Sequence, residues 1–200
     1  CKFGTAATTG LSQISGSTVG IVAYTGKIDA DSCAKGARFV RFCDAFAIPV
    51  VTLVNATEFS SLRGATKLSN AYSEATTAKV TVVTGEAYGP VYIAVAGRGA
   101  NSDITIAWTS AAVSPLSPST AAIFEWSERL KGSNNPTEDR KKLIEEYKKT
   151  EASPLSAAAN GFVEDVINPE ETRAKVVAYL EMLAGKRVTR LPKKHANIQL

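Results

Sequence analysis

Residues 84–94 read TGEAYGPVYIA, a run in which small residues, a glycine and a proline separate a β-type stretch from a segment of helical composition. A strand that turns tightly into a helix presents backbone N–H groups at the helix start, and these can hold negative charge forming on an oxygen. Gly89 permits the tight turn. Pro90 is comfortable in a first helical turn but has no N–H, so Val91 carries the next donor, with its β-branched side chain crowding the approach. Two readings stand side by side: an oxyanion-binding turn altered by a proline, and a strand-to-helix connection with no ligand. Other chemistry is sparse. The single histidine, His195, lies in a basic, proline-containing tail and reads as a docking residue rather than a general base, which needs a geometric partner. Tyr88 and Trp108 read as core or interface aromatics, with Tyr88 beside the turn. The GRGANSD stretch at 97–103 lacks the strand, Gly-rich loop and Lys-Ser/Thr of a phosphate-binding loop.

The elements that must position this turn follow from periodicity. Residues 19–24 (VGIVAY) and 48–54 (IPVVTLV) are β-branched runs, and between them DSCAKGARFVRFCDAF has the length and composition of a largely buried helix, giving a β-α-β unit. Lys35, Arg38 and Arg41 form its wet stripe, and Asp31 or Ser32 is placed to cap it. A helix over 65–77, a strand over 79–84, a helix from Gly89 to Ala96 and a strand in DITIAWT repeat the pattern. Strands separated by helices imply a largely parallel sheet covered by helices. Beyond residue 117 the chain becomes helical and charged. Asn135-Pro136 and Asn168-Pro169 each mark a helix start, the second opening a helix with Val176, Val177, Leu180 and Leu183 on one face. Gly132–Asn134 reads as a flexible joint within one domain.

Composition sets the class. The chain has 200 residues, 44% hydrophobic and 21% charged, ordinary for one well-buried globular domain. The net charge of +4 is dispersed except in KRVTRLPKKH near the C-terminus, which reads as a solvated tail and gives a nucleic-acid partner little support. No apolar run approaches a bilayer span and no signal pattern opens the chain, so the expectation is a soluble, cytoplasmic protein. Cys1, Cys33 and Cys43 lack zinc spacing and fit reduced thiols, and no metal is expected. Opening at Cys1 rather than Met suggests a piece of a longer polypeptide.

KGARFVRFCDAFAIPVVTLV (35–54), AYSEATTAKVTVVTGEAYGPVYIA (71–94), AWTSAA (107–112), GFVEDVINPEETR (161–173) and PKKHANIQL (192–200) resemble, in order and spacing, the carboxyltransferase of biotin-dependent acyl-CoA carboxylases and decarboxylases. The resemblance runs from about Gly16 to the end. It implies a crotonase-like α/β fold, a spiral of ββα units, assembled in trimers or stacked trimers. A complete subunit of that family holds two such domains. The first grips acyl-CoA, the second receives carboxybiotin, and the active site lies between the first domain of one subunit and the second of another. Residues 1–200 resemble the second domain alone, a half site that needs a partner domain for acyl-CoA and a biotin carboxyl carrier protein.

Carboxyl transfer between a biotin nitrogen and the carbon alpha to a thioester places negative charge on one carbonyl oxygen and then on another. Preorganised N–H groups lower that barrier without a side-chain acid or base, so the lack of a triad is compatible with it. The resemblance assigns Gly89 and Val91 to the turn that holds the biotin ureido oxygen, and places Tyr88, Pro90, Phe59 and Ile93 around it. The family has a second glycine where this chain has Pro90 and a small residue where it has Val91. At Asn55-Ala56-Thr57-Glu58-Phe59 the family has an Asp and a Pro-Gly-Phe turn, of which Phe59 alone matches well. Glu58 brings a carboxylate toward the presumed biotin channel, and VSPLSPSTAA replaces a methionine-glycine turn. Ile93 stands where the family shapes acyl-group selection and looks like the decarboxylase branch, although core packing is the commoner fate of an isolated Ile. The functions in competition are a carboxyltransferase component and a non-catalytic assembly subunit with altered turns. A hydratase using Glu58 or Glu86, or a Ser-His-Asp protease using His195, fits poorly.

Overall fold

A computed structural model describes residues 2–98, 101–124 and 135–188. Strands β1 (Ala7–Ile14), β2 (Ser17–Ile28), β3 (Val50–Phe59), β4 (Lys79–Tyr88), β5 (Ile104–Trp108), β6 (Ala112–Ser114) and β7 (Asp165–Ile167) form one seven-stranded sheet in the order β1-β2-β3-β4-β5-β7, with β6 paired to β4. The helices are α1 (Ala30–Ala45), α2 (Leu62–Glu74), α3 (Pro118–Phe124), α4 (Pro136–Lys149), α5 (Pro154–Ala159) and α6 (Thr172–Leu183). Pairing is parallel except for the β1-β2 hairpin. That hairpin closes through Ser15 and Gly16, both at positive φ, which suits the right-handed twist of the flanking strands.

Both faces of the sheet are covered, which explains the near-continuous valine runs. Val22, Val50, Val54 and Val83 pack with Leu68 and Tyr72 under α1 and α2, while Val19, Val51, Val80, Val82 and Ile106 meet Val176 of α6. Polar contacts lock the helices to the strand that feeds the turn. Asp44 at the end of α1 accepts hydrogen bonds from Thr76 N (2.7 Å) and Thr77 N (3.0 Å). The buried Lys79 ammonium donates to Tyr72 O (2.5 Å) and Ala75 O (3.1 Å), the carbonyl end of α2, where a cation is favoured. Cys33 and Cys43 are buried free thiols whose pKa values burial pushes up to about 11. Cys1, the joint at Gly132–Asn134 and His195 lie outside the described residues.

Several boundaries differ from the sequence expectation. Asp29, rather than Asp31 or Ser32, caps α1, accepting from Ser32 N at 2.7 Å, and the approach of Ser32, its hydroxyl first and its N–H second, holds the carboxyl below the usual range. Helix α2 begins at Leu62 because Ser61 accepts from Gly64 N at 3.1 Å. Residues 55–59 are not a turn. They extend β3, pairing Glu58 with Lys27 and Phe59 with Ile28 after a bulge at Gly26, and Glu58 forms a 2.9 Å ion pair with Lys27. β1, β6 and β7 had no counterpart in the sequence reading, and β7 lies in the stretch after residue 117 that was expected to be helical. At the second predicted helix start, Glu171 reaches back to Asn168 N at 2.9 Å, as the motif implies.

A tight contact between β2 and α1 yields a stability prediction. The Tyr24 hydroxyl is buried without a hydrogen-bond partner, and a Cβ on Gly36 would lie 2.0 Å from its oxygen. Gly36→Ala is expected to destabilise by about 2 kcal/mol, because overpacking outweighs the gain in helix propensity. Tyr24→Phe removes an unsatisfied hydroxyl and is expected to be near neutral. The double variant should therefore recover most of the loss in urea denaturation; failure to recover would show that another atom opposes the alanine.

Candidate functional site at the carboxyl end of β4

Strand β4 delivers Ala87 and Tyr88, both buried, to the edge where parallel α/β sheets place their ligand sites. Tyr88 pairs with Ser114 of β6, and the ladder's next rung is the Gly89 N–H donating to Ser114 O at 2.9 Å. Gly89 sits at φ +36°, and a Cβ there would approach Pro115 O to 2.5 Å, so only glycine fits beneath the 114–115 strap. Pro90 then opens the helix. Ile93 N donates to Gly89 O at 3.0 Å as the first closed turn, and Val91 N–H lies upstream of it, among the groups that have no intrahelical acceptor. Residues Tyr92–Ala96 widen into a π-helical turn. Side chains satisfy its carbonyls: Asn101 bonds Ile93 O, Thr81 bonds Val95 O (3.3 Å) and Thr105 bonds Ala96 O (2.7 Å). Such widened turns recur at functional sites.

Two cavities flank this junction. One, of about 530 Å³, is lined by Gly89, Tyr92, Ile93, Val113, Tyr147 and Phe162 among others, a size in the range of small-molecule sites. Tyr92 donates to Phe162 O at 2.5 Å, and the two rings meet edge to face at 6.1 Å. Burial pushes the Tyr92 phenol pKa up. The second cavity, about 350 Å³, is lined by Thr57, Glu58, Glu86, Tyr88, Ser117 and Lys148. In it the Tyr88 hydroxyl donates to Glu86 at 2.8 Å, and burial first, then that bond and the Glu86 charge, push the phenol well above its ordinary pKa. Tyr88 is therefore a protonated donor to Glu86 at neutral pH.

The residues singled out from sequence, Phe59 apart, are neighbours along the chain, and the structure divides them between the two cavities and the core. Gly89 and Ile93 line the larger cavity, Tyr88 the smaller. Pro90 is exposed, whereas Val91, backbone included, is fully buried in the main core and lines neither cavity. Phe59, half-buried, packs against that core. Ile93 is a correction to the core-packing expectation: it is 65% exposed, because Ala94, Val95 and Ala96 supply the buried face of its turn. The Gly89 N–H is a second correction, since Ser114 O already accepts it. Sequence reasoning missed Tyr92, Phe162 and the 113–115 strap. Tyr92 lies inside the quoted run, and Phe162 inside GFVEDVINPEETR, but neither pattern reveals that they meet. Trp108 donates to Thr172 Oγ1 at 2.8 Å and packs between the two core clusters, in keeping with a core role.

Comparison with known proteins gives the same direction. The family model for the carboxyl transferase domain matches residues 1–198. The chain is 38% identical to the propionyl-CoA carboxylase carboxyltransferase subunit of Haloferax mediterranei over 96% of its own length and 40% of that protein. It is 39% identical to the methylmalonyl-CoA carboxyltransferase 12S subunit of Propionibacterium freudenreichii subsp. shermanii, covering 98% of this chain and 40% of the relative. It is 36% identical to the methylmalonyl-CoA decarboxylase subunit alpha of Propionigenium modestum, over 94% and 39%. The chain thus spans about 40% of the length of these relatives. Among solved structures, transcarboxylase 12S with methylmalonyl-coenzyme A and methylmalonic acid bound superposes with a TM-score of 0.88 at 38% identity, covering 98% of this chain and 40% of that one. The Pseudomonas aeruginosa geranyl-CoA carboxylase beta subunit shares the fold, with a TM-score of 0.78 at 21% identity over 92% and 38%. With its parallel sheet, its glycine turn and these relatives, the chain belongs to the carboxyl transferase domain family and has the family's crotonase-like fold.

Proposed function

We propose that this chain is a component of a biotin-dependent acyl-CoA carboxyltransferase, moving a carboxyl group between carboxybiotin and an acyl-CoA in a carboxylase or in a malonyl- or methylmalonyl-CoA decarboxylase. Residues 1–200 act as one crotonase-like domain, corresponding to the C-terminal, biotin-facing half of such a subunit. The observation that carries this reading is the cavity of about 530 Å³ opening beside the start of the helix that follows β4, in a chain whose family match spans residues 1–198. Biotin, carried on a partner protein, supplies the carboxyl group. The fit of this chain to its ureido oxygen rests on the backbone donors left at the turn: Gly89 N–H is engaged and Pro90 lacks one, so Val91 N–H, on a residue buried in this chain, and Tyr92 N–H precede the first intrahelical bond at the positive end of the helix. Tyr88, Pro90 and Phe59 shape the surroundings of that turn, and Ile93, exposed at the cavity, contacts the acyl group. A partner domain completes the site and binds the coenzyme A moiety. A trimer-based homo- or hetero-oligomer brings the halves together, docks the biotin carboxyl carrier protein and works in the cytoplasm. Among the described residues no helix is long and apolar enough to cross a membrane.

The test is reconstitution. Co-expressed with an acyl-CoA-binding half and a biotinylated carrier, the assembly is expected to convert methylmalonyl-CoA to propionyl-CoA in a carrier-dependent assay. Assembly without transfer would defeat the catalytic reading. A second reading, a non-catalytic assembly subunit, is favoured by the engaged Gly89 amide and by Pro90, which together leave the turn short of donors.

A further inference from the structure

The larger cavity is lined by an aromatic, Phe162, that is half exposed. Phe162 is 54% exposed, yet the backbone beneath it is pinned. Phe162 N donates to Ala157 O (2.9 Å) and Gly161 N to Ala158 O (3.0 Å), while Gly161 turns the chain at φ +76°. The next residues are tied to β5 by Glu164 N to Thr105 O (2.9 Å) and Thr105 N to Glu164 Oε2 (2.7 Å), and Arg98 pairs with the Glu164 carboxylate. Tyr92 closes the frame through its bond to Phe162 O. An exposed ring on a fixed backbone loses little freedom on contact with a ligand, so it is preorganised for one.

Ile93, 65% exposed, lines the same cavity from the helix after β4. The wall between these two side chains is largely apolar, with Tyr92, Val113, Pro115 and Ala157, and its charged member is Glu151, a carboxylate. Among the described residues no Lys or Arg lines it. That chemistry favours a neutral aliphatic chain and opposes a second carboxylate. We infer that Phe162 is a specificity-determining residue: its ring bounds the cavity that receives the acyl chain and sets the longest neutral aliphatic acyl group admitted. The inference rests on the carboxyltransferase reading and names its substrate class.

Shortening the ring opens the cavity, so Phe162→Ala should weaken propionyl-CoA and favour hexanoyl-CoA. One methylene in an apolar pocket changes discrimination by about tenfold or more, and the propionyl-to-hexanoyl preference is expected to fall by roughly that factor. Phe162→Leu should fall between wild type and alanine. The exposed Leu155 on α5 lies outside this cavity's lining, and Leu155→Ala should leave the preference unchanged. The assembled complex is assayed twice, by kcat/KM for carboxyl transfer to each acyl-CoA and by calorimetric Kd for each without turnover. A shift in the Kd ratio confined to the Phe162 variants supports the assignment whether or not the complex transfers carboxyl groups. Absence of transfer in wild type with that shift intact would overturn the catalytic reading alone. Ratios unchanged within twofold in both Phe162 variants, or shifted equally by Leu155→Ala, would overturn the assignment of Phe162.

Discussion

Replacing Val91 with proline is expected to lower the turnover of the assembled carboxyltransferase by about 100- to 1,000-fold, the usual consequence of deleting one oxyanion donor. The substitution is close to isolating a single N–H. Val91 has φ −67° and ψ −48°, a backbone that proline adopts, and it lies in the first turn, where proline blocks no intrahelical bond. Two side effects accompany it: a proline at 91 disfavours the helical conformation of Pro90, and the fully buried valine side chain loses packing. Val91→Ala supplies the control, keeping the N–H while losing packing worth about 2 kcal/mol. The decisive comparison is kcat for proline against alanine at matched folded fraction. A gap of about two orders of magnitude assigns the donor to Val91. Equal kcat values would remove the amide from the chemistry and leave the assembly-subunit reading in possession of the turn.

The parts of the molecule legible in the sequence are those in which a local pattern and the tertiary environment agree. The β2-α1-β3 unit was readable because valine runs, buried on both sheet faces, flank a segment of helical length, but the expectation that the helix is largely buried is corrected: Cys33, Gly36, Ala37, Val40 and Cys43 form its one buried face, and Ala34, Phe42 and Ala45 are exposed. β1 escaped because it is an edge strand with mostly exposed side chains, although Ser15-Gly16 carried its hairpin signal. The resemblance placed a turn at Asn55–Phe59. Pairing with the end of β2, across a bulge, makes it strand instead. The site was legible in one part, the glycine turn itself. Its walls come from the 113–115 strap and from residues 147–162, and no periodicity links segments that distant in sequence. The fate of the Gly89 amide was hidden for the same reason, since its acceptor sits on β6.

Gly89→Ala is expected to destabilise the protein by about 3 kcal/mol, and by nearly the same amount whichever functional reading holds. Two costs combine. At φ +36° an L-residue is strained by about 1–2 kcal/mol, and the new Cβ would stand 2.5 Å from Pro115 O, a clash comparable to overpacking at about 1–3 kcal/mol. The oxygen cannot swing aside as a side chain would. It belongs to the backbone that follows β6, anchored by the Tyr88-Ser114 pairing, the Gly89 N–H to Ser114 O bond and the Ser114 hydroxyl donating to Leu116 O at 2.6 Å. Gly161 separates the two costs. Its φ is +76° with open space around the missing Cβ, so Gly161→Ala should register the strain alone, about 1 kcal/mol. Urea denaturation of both variants reads the difference directly. If Gly89→Ala unfolds no more readily than Gly161→Ala, the strap yields to the methyl group; a difference of about 2 kcal/mol fixes the strap over the Gly89 amide and takes that amide out of the oxyanion site.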